Sequence, residues 1–147
     1  MITDQFLKVS AAQAVTASAV STDKVDLSTA RDIGEGEDLY MNFNVDTAFT
    51  AAGAATMEMQ VVVADDAALS TNVTVVGTTG AIAKTALVAG ASFAARINPQ
   101  IASLGRRYFG ANYVVATGPM TAGAITANVV HGVQDGKKFY TSGFSVV

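Results

Sequence analysis

Apolar and polar residues alternate strictly along two stretches of this chain. In LYMNFNVD, Leu39, Met41, Phe43 and Val45 fall on one side, and Tyr40, Asn42, Asn44 and Asp46 on the other. In TMEMQVVV, Met57, Met59, Val61 and Val63 oppose Thr56, Glu58 and Gln60. A period of two predicts half-buried strands. The segment between them, AFTAAGAA, has a central glycine and no charge, so the two strands read as a hairpin with a long loop. A second apparent hairpin is NYVVATGPMTAGAITANVV, whose linker TGPMTAG holds no acid, base or thiol.

Weaker alternation predicts more strands. NVTVVG starts at Asn72, and SFAARI puts Phe93, Ala95 and Ile97 on one side before Asn98-Pro99 ends the run. RRYFGANYVV offers Phe109, Ala111, Tyr113 and Val115 as a face, and AITANVVHG offers Ile125, Ala127 and Val129. KVDLS reads as a short edge strand, and Asp135-Gly136 is a tight-turn signal between two short runs. Helical signals are thin. SAAQAVTASAV, ADDAALS and AIAKTALVAG each hold alanines, but no apolar stripe, and are expected to be extended or irregular. Short strands broken by Gly and Asn predict an all-β fold, an antiparallel sandwich or barrel. TAAGAAT at Thr50–Thr56 also echoes TAGAIT at Thr121–Thr126. Two like loops at one end of a sandwich would produce that echo, and so would chance in an Ala/Thr-rich chain.

Composition narrows the function classes. The 147 residues suit one domain, residues 1–147, with no Pro-rich linker. Charged residues make up 14%, against an ordinary share of about 25%. The net charge of -3 and the lack of a basic stripe argue against nucleic acid as a partner. Without cysteine there is no disulfide, thiolate metal site or thiol nucleophile. The start, MITDQFLKVSAAQAV, lacks a signal-peptide pattern, and no apolar run reaches membrane-spanning length. No membrane partner is expected.

Catalytic chemistry finds little support. His131 is the only histidine, and no G-x-S-x-G is present. DIGEGEDL is acidic at Asp32, Glu35, Glu37 and Asp38, but lacks the spacing of a calcium loop, and its G-x-G does not follow a strand. Asp65-Asp66 reads as a turn. No enzyme, metal or cofactor is expected. The remaining candidates are contact residues. Arg106 and Arg107 are either solvated edge charges or partner contacts. Phe49 in one loop, and Pro119 and Met120 in the other, are uncharged and apolar. Ile2, Phe6 and Leu7 lie near the start, in an arm of about residues 1–12. Phe139, Tyr140 and Phe144 lie in a tail of about residues 132–147. These ends either pack on their own core or dock on neighbouring subunits.

Several segments together resemble the capsid cement (decoration) proteins of short-tailed bacteriophages. They are AQAVTASAVSTDKVDL, ARDIGEGEDLYMNFNVDTAFTAAGAATM, LVAG and RRYFGANYVVATGPMTAGAITA, spanning about Gln13 to Ala127. The loop before RRYF is NPQIASLG, with one proline where the family is Pro-rich, and the tail from His131 onward is not covered. The resemblance implies a jelly-roll-like β-sandwich on the outer surface of the virion capsid. Its partner would be the major capsid protein, whose neighbouring capsomers it would staple. It also implies self-association, as a homodimer or else a trimer, with no catalytic residues and no cofactor. Assembly would take place in the bacterial host cytoplasm. A different class, a glycan-binding sandwich module of a fibre or adhesin, would show exposed aromatics, and this chain has no Trp.

Overall fold

The computed structural model describes residues 4–28 and 38–133. Among these residues nine strands form two sheets: β1 (Lys8–Ala14), β2 (Ala19–Val20), β3 (Val25–Asp26), β4 (Leu39–Thr50), β5 (Thr56–Ala64), β6 (Thr74–Ala83), β7 (Ser92–Arg96), β8 (Tyr108–Ala116) and β9 (Ala122–His131). One sheet has the order β1-β9-β4-β7. The other has the order β2-β8-β5-β6, with β3 also paired to β8. All pairings are antiparallel. Counting β2 and β3 as one interrupted strand, the first strand pairs the last, the second the seventh, the third the sixth and the fourth the fifth. That is one long antiparallel ribbon folded over on itself, the jelly-roll topology.

This topology corrects both hairpin readings. β4 and β5 lie in different sheets, as do β8 and β9. Their connectors therefore cross from one sheet to the other, and among the described strands the only consecutive pair forming a hairpin is β5-β6. Local alternation specifies a strand but not its partner, so a Gly-containing linker between two strands cannot by itself distinguish a hairpin from a crossing. The N-terminal arm also shortens. Lys8–Ala14 is an edge strand of the first sheet, preceded by a 3-10 turn at Gln5–Leu7.

The inward faces are those the alternation predicts. Met41, Phe43 and Val45 meet Met57, Met59, Val61 and Val63 across the sandwich, with Phe109, Ala111, Tyr113, Ile125, Ala127 and Val129 completing one cluster. Burying each of the Val, Ile, Met and Phe side chains among these stabilises the fold by about 1.5–3 kcal/mol. Phe43 and Tyr113 pack edge to face, with centroids 6.2 Å apart. Leu69, from the β5–β6 connector, folds over Val62 and Ala64 on the outside of the second sheet as a small satellite cluster.

The two open sides of the sandwich are stitched by polar contacts. On one side Asp23 N donates to Val9 O at 2.9 Å. There Gln13 Nε2 donates to Val20 O, while its Oε1 accepts from Ser10 Oγ and Thr22 N. Because Ser10 gives its proton to Gln13, the 2.7 Å contact between Ser10 and the buried Tyr113 hydroxyl has Tyr113 donating. Burial raises the Tyr113 pKa above the usual phenol range. On the other side Asn98 N donates to Val76 O at 2.8 Å. Here Gly77 lets β6 approach β7, since a Cβ on it would stand 2.5 Å from Arg96 O.

Candidate protein interface

The fold gives the sandwich two chemically different ends. One end gathers the β1–β2, β4–β5, β6–β7 and β8–β9 connectors, all of which cross between sheets. Backbone hydrogen bonds tie them to one another and to the strands that enter them. Met120 N donates to Thr16 O at 2.8 Å, and Thr121 N donates to Thr50 O at 2.6 Å. The hydroxyls of Thr50 and Thr121 meet at 2.7 Å. Lys84 N donates to Ala55 O, and Lys84 Nζ to Ala51 O. Phe49 N donates to Leu87 O at 2.9 Å. The two echoing segments thus lie side by side, as the sandwich-end explanation of the echo requires.

The exposed surface of this end is made of small, uncharged residues. Ala17, Ala52, Ala54, Thr117 and Pro119 are exposed, and Val88 is 54% exposed. Lys84 is the one charged residue in these four connectors, and Ala51 O accepts from its ammonium. Thr117 has φ 63, a conformation strained for a β-branched residue, followed by Gly118 at φ 123. Two candidates from the sequence change role here. Phe49, at the end of β4, and Met120 are 4% and 2% exposed and belong to the core cluster. They are not surface contacts but plugs that hold the connectors down from inside. Strict alternation already places Phe49 inward with Met41, Phe43 and Val45, and the two register shifts between Val45 and Thr50 together leave that parity intact. Pro119 does stand at the surface.

The opposite end carries the charge. Arg107 grips Asp26 through Nε at 3.0 Å and Nη2 at 2.9 Å, with its guanidinium over the Tyr108 ring. Arg106 Nη1 contacts both carboxylate oxygens of Asp65 at 2.9 Å. Arg96 pairs with Asp38. Arg106 and Arg107 thus turn to different neighbours on either side of β8, and each already holds a carboxylate of its own chain. The Arg107 guanidinium, aided by the Ser28 N–H, holds Asp26 well below the usual carboxylate range. Hydrogen bonds from Asn72 and Arg106 lower Asp65. Asp66 is lowered to about 2, chiefly by the Thr71 N–H and the Ser70 hydroxyl. The aspartate pair is the turn the sequence suggests.

Phe6 stands at this charged end, 81% exposed. Asp4 Oδ1 accepts from Phe6 N at 2.9 Å, and Leu7 packs against the core, so the turn that presents Phe6 is fixed on both sides. Ile2, Phe139, Tyr140 and Phe144, the acidic run before Asp38, and Asp135-Gly136 fall outside the described residues. His131 ends β9 opposite Leu39 and is exposed. Among the described residues no group of three His, Cys, Asp or Glu could hold a metal. No helix among them is long and apolar enough to cross a membrane. Sequence reasoning missed the Thr50–Thr121 and Thr16–Met120 ties, because they join connectors far apart in the chain. It also missed the aspartate partners of the arginines, for the same reason.

A comparison with curated proteins returns no match. The family model named Bbp16 matches residues 9–129, from the second residue of β1 to within two residues of the end of β9. That span covers both sheets and both ends of the sandwich, and the chain belongs to the Bbp16 family.

Proposed function

We propose that this protein is a capsid cement protein. It binds the outside of an assembled phage head and ties neighbouring capsomers of the major capsid protein together. The observation that carries this reading is the sparsely charged, cross-tied end of the sandwich. Four connectors with one cation among them, held together by backbone bonds, form a surface suited to docking by shape. Connectors that are already ordered lose little entropy on docking. The segments that resemble cement proteins supply much of this end, TAFTAAGAATM the β4–β5 crossing and NYVVATGPMTAG the β8–β9 crossing.

The mechanism is linkage. A protein that binds the assembled shell and not its free subunits stabilises the shell by about 4 kcal/mol per site at a thousandfold excess over Kd. Joining two capsomers through one rigid body adds an effective-concentration gain. No step requires a reactive group.

Undecorated heads mixed with the purified protein test the proposal. Saturable binding is expected, with release of the genome or loss of the shell shifted to higher temperature. Ala52→Glu with Thr117→Lys should abolish binding while leaving the protein's own melting temperature within a few degrees, because both side chains are exposed. Heads that stay bare with the unmodified protein, or that gain no heat resistance when covered, refute the function. Full binding by the charged variant refutes this end as the docking surface. Charging Phe49 or Met120 instead would test folding, since both are in the core.

A further inference from the structure

We propose that the shell meets Lys84 with a carboxylate, an Asp or Glu side chain of the major capsid protein. This inference rests on the cement reading and adds to it the chemistry of one contact. Lys84 opens the β6–β7 connector on a 3-10 turn, Lys84–Ala86. That turn is fixed at both ends. Lys84 N donates to Ala55 O at 3.1 Å, Leu87 N donates to Lys84 O at 3.1 Å, and Leu87 is fully buried. The side chain then reaches across to the β4–β5 connector, where Nζ donates to Ala51 O. Two residues further along that connector, Gly53 lies against the β8–β9 connector, since a Cβ on it would stand 3.7 Å from Thr117 O. This places the ammonium among three of the four connectors that make the docking end.

Lys84 differs from the arginines of the opposite end. Arg96, Arg106 and Arg107 each hold an aspartate of their own chain, Asp38, Asp65 and Asp26. Lys84 holds a neutral carbonyl, and no carboxylate among the described residues lies within ion-pair distance of it. An ammonium has three N–H groups, and Ala51 O takes one. Lys84 is half-buried in the free protein, so water still compensates its charge. When the shell covers this end that water leaves, and a desolvated cation without a counter-charge is strongly unfavourable. A carbonyl or hydroxyl of the shell accepts an N–H but does not neutralise the charge. The side chain of a protein shell that does both is a carboxylate. The contact also supplies what the surroundings lack. Ala52, Ala54, Thr85, Ala86 and Thr117 are exposed, small and alike in chemistry, so they set a fit but only a weak register. One paired charge among them fixes the register and rejects surfaces without the matching acid.

Heads covered with the purified full chain are treated with a water-soluble carbodiimide, which activates a carboxylate so that a contacting amine forms an amide and a urea leaves. Peptide mapping should find Lys84 joined to an Asp or Glu of the major capsid protein. Lys84→Arg keeps the charge, so it should still cover the heads while losing this cross-link. Lys84→Met should bind at least about tenfold more weakly at low salt, because it strands the shell's carboxylate. Its affinity should also fall less than that of the unmodified protein between about 50 mM and about 500 mM NaCl, since one screened attraction is gone. A purely structural role for Lys84 would lower the variant's own melting temperature and leave that salt dependence unmoved. If Lys84→Met melts well below the unmodified protein, the cross-link and Lys84→Arg decide. Absence of a Lys84 cross-link on covered heads, or equally tight binding by a folded Lys84→Met, overturns this inference and leaves the cement reading standing. A cross-link from Lys84 to a second copy of this chain overturns the shell as its partner. Heads that stay bare with the unmodified protein overturn the cement reading, and this inference with it.

Discussion

Gly123→Ala is the sharpest single test of how the β8–β9 crossing is built. Gly123 has φ +142, and a Cβ there would stand 2.1 Å from Phe49 Cδ1 and 2.4 Å from Cε1. Carbon atoms in contact sit about 3.5–4.0 Å apart, so the ring would have to move by roughly 1.5 Å. It has nowhere to go: Phe49 is 4% exposed, and its N–H is bonded to Leu87 O. Overpacking of this kind costs about 1–3 kcal/mol. A backbone conformation closed to side chains adds about 1–3 kcal/mol. The expected loss is therefore about 4 kcal/mol, or roughly 8–16 °C in Tm for a chain of this size. A double-mutant cycle with Phe49→Ala, read by urea unfolding, separates the two parts. Removing the ring costs about 3–5 kcal/mol by itself. It should also cancel the steric part of Gly123→Ala, leaving a coupling of about 1–3 kcal/mol. Additivity within about 0.5 kcal/mol, or a single-variant loss below about 1 kcal/mol, would refute the reasoning.

Ser10→Ala leaves the buried Tyr113 hydroxyl without its acceptor and should cost about 1–3 kcal/mol by thermal unfolding, while adding Tyr113→Phe should recover part of the loss. In the native protein Tyr113 should remain un-ionised in an alkaline absorbance titration until the fold itself is lost, because burial raises its pKa. Acid should destabilise the protein in a defined window. Asp26, Asp65 and Asp66 have depressed pKa values in the folded state, so their stabilisation is present above the unfolded value of about 3.9 and disappears as pH falls towards the folded values. Urea midpoints should be flat from pH 7 to about pH 5 and fall below about pH 4, with the slope reduced in Asp66→Asn; an unchanged slope would remove Asp66 from the account. Ala83→Pro should be neutral or stabilising by about 0.5 kcal/mol, because its residue already has φ -67 and the neighbouring Lys84 N–H is the one turned towards Ala55 O. A loss above about 1 kcal/mol would show that the outer edge of β6 is not free.

By itself, the sequence determined which faces are buried. Alternation at Leu39–Asp46, Thr56–Val63, Phe109–Val115 and Ile125–Val129 named the inward side chains, because a strand's side-chain period is a local property that needs no partner. It also excluded thiol chemistry and showed how little charge the crossings carry. What only the tertiary structure decided was which strand lies beside which. β4–β5 and β8–β9 look like hairpins locally but cross between sheets, because a jelly roll satisfies strand edges with partners far along the chain. The same long-range pairing turned Met120 inward, gave Arg106 and Arg107 to Asp65 and Asp26, and set Thr50 against Thr121. The two Arg–Asp pairs and the Thr50–Thr121 contact leave no periodic trace, since they join residues 41 to 81 positions apart through space alone.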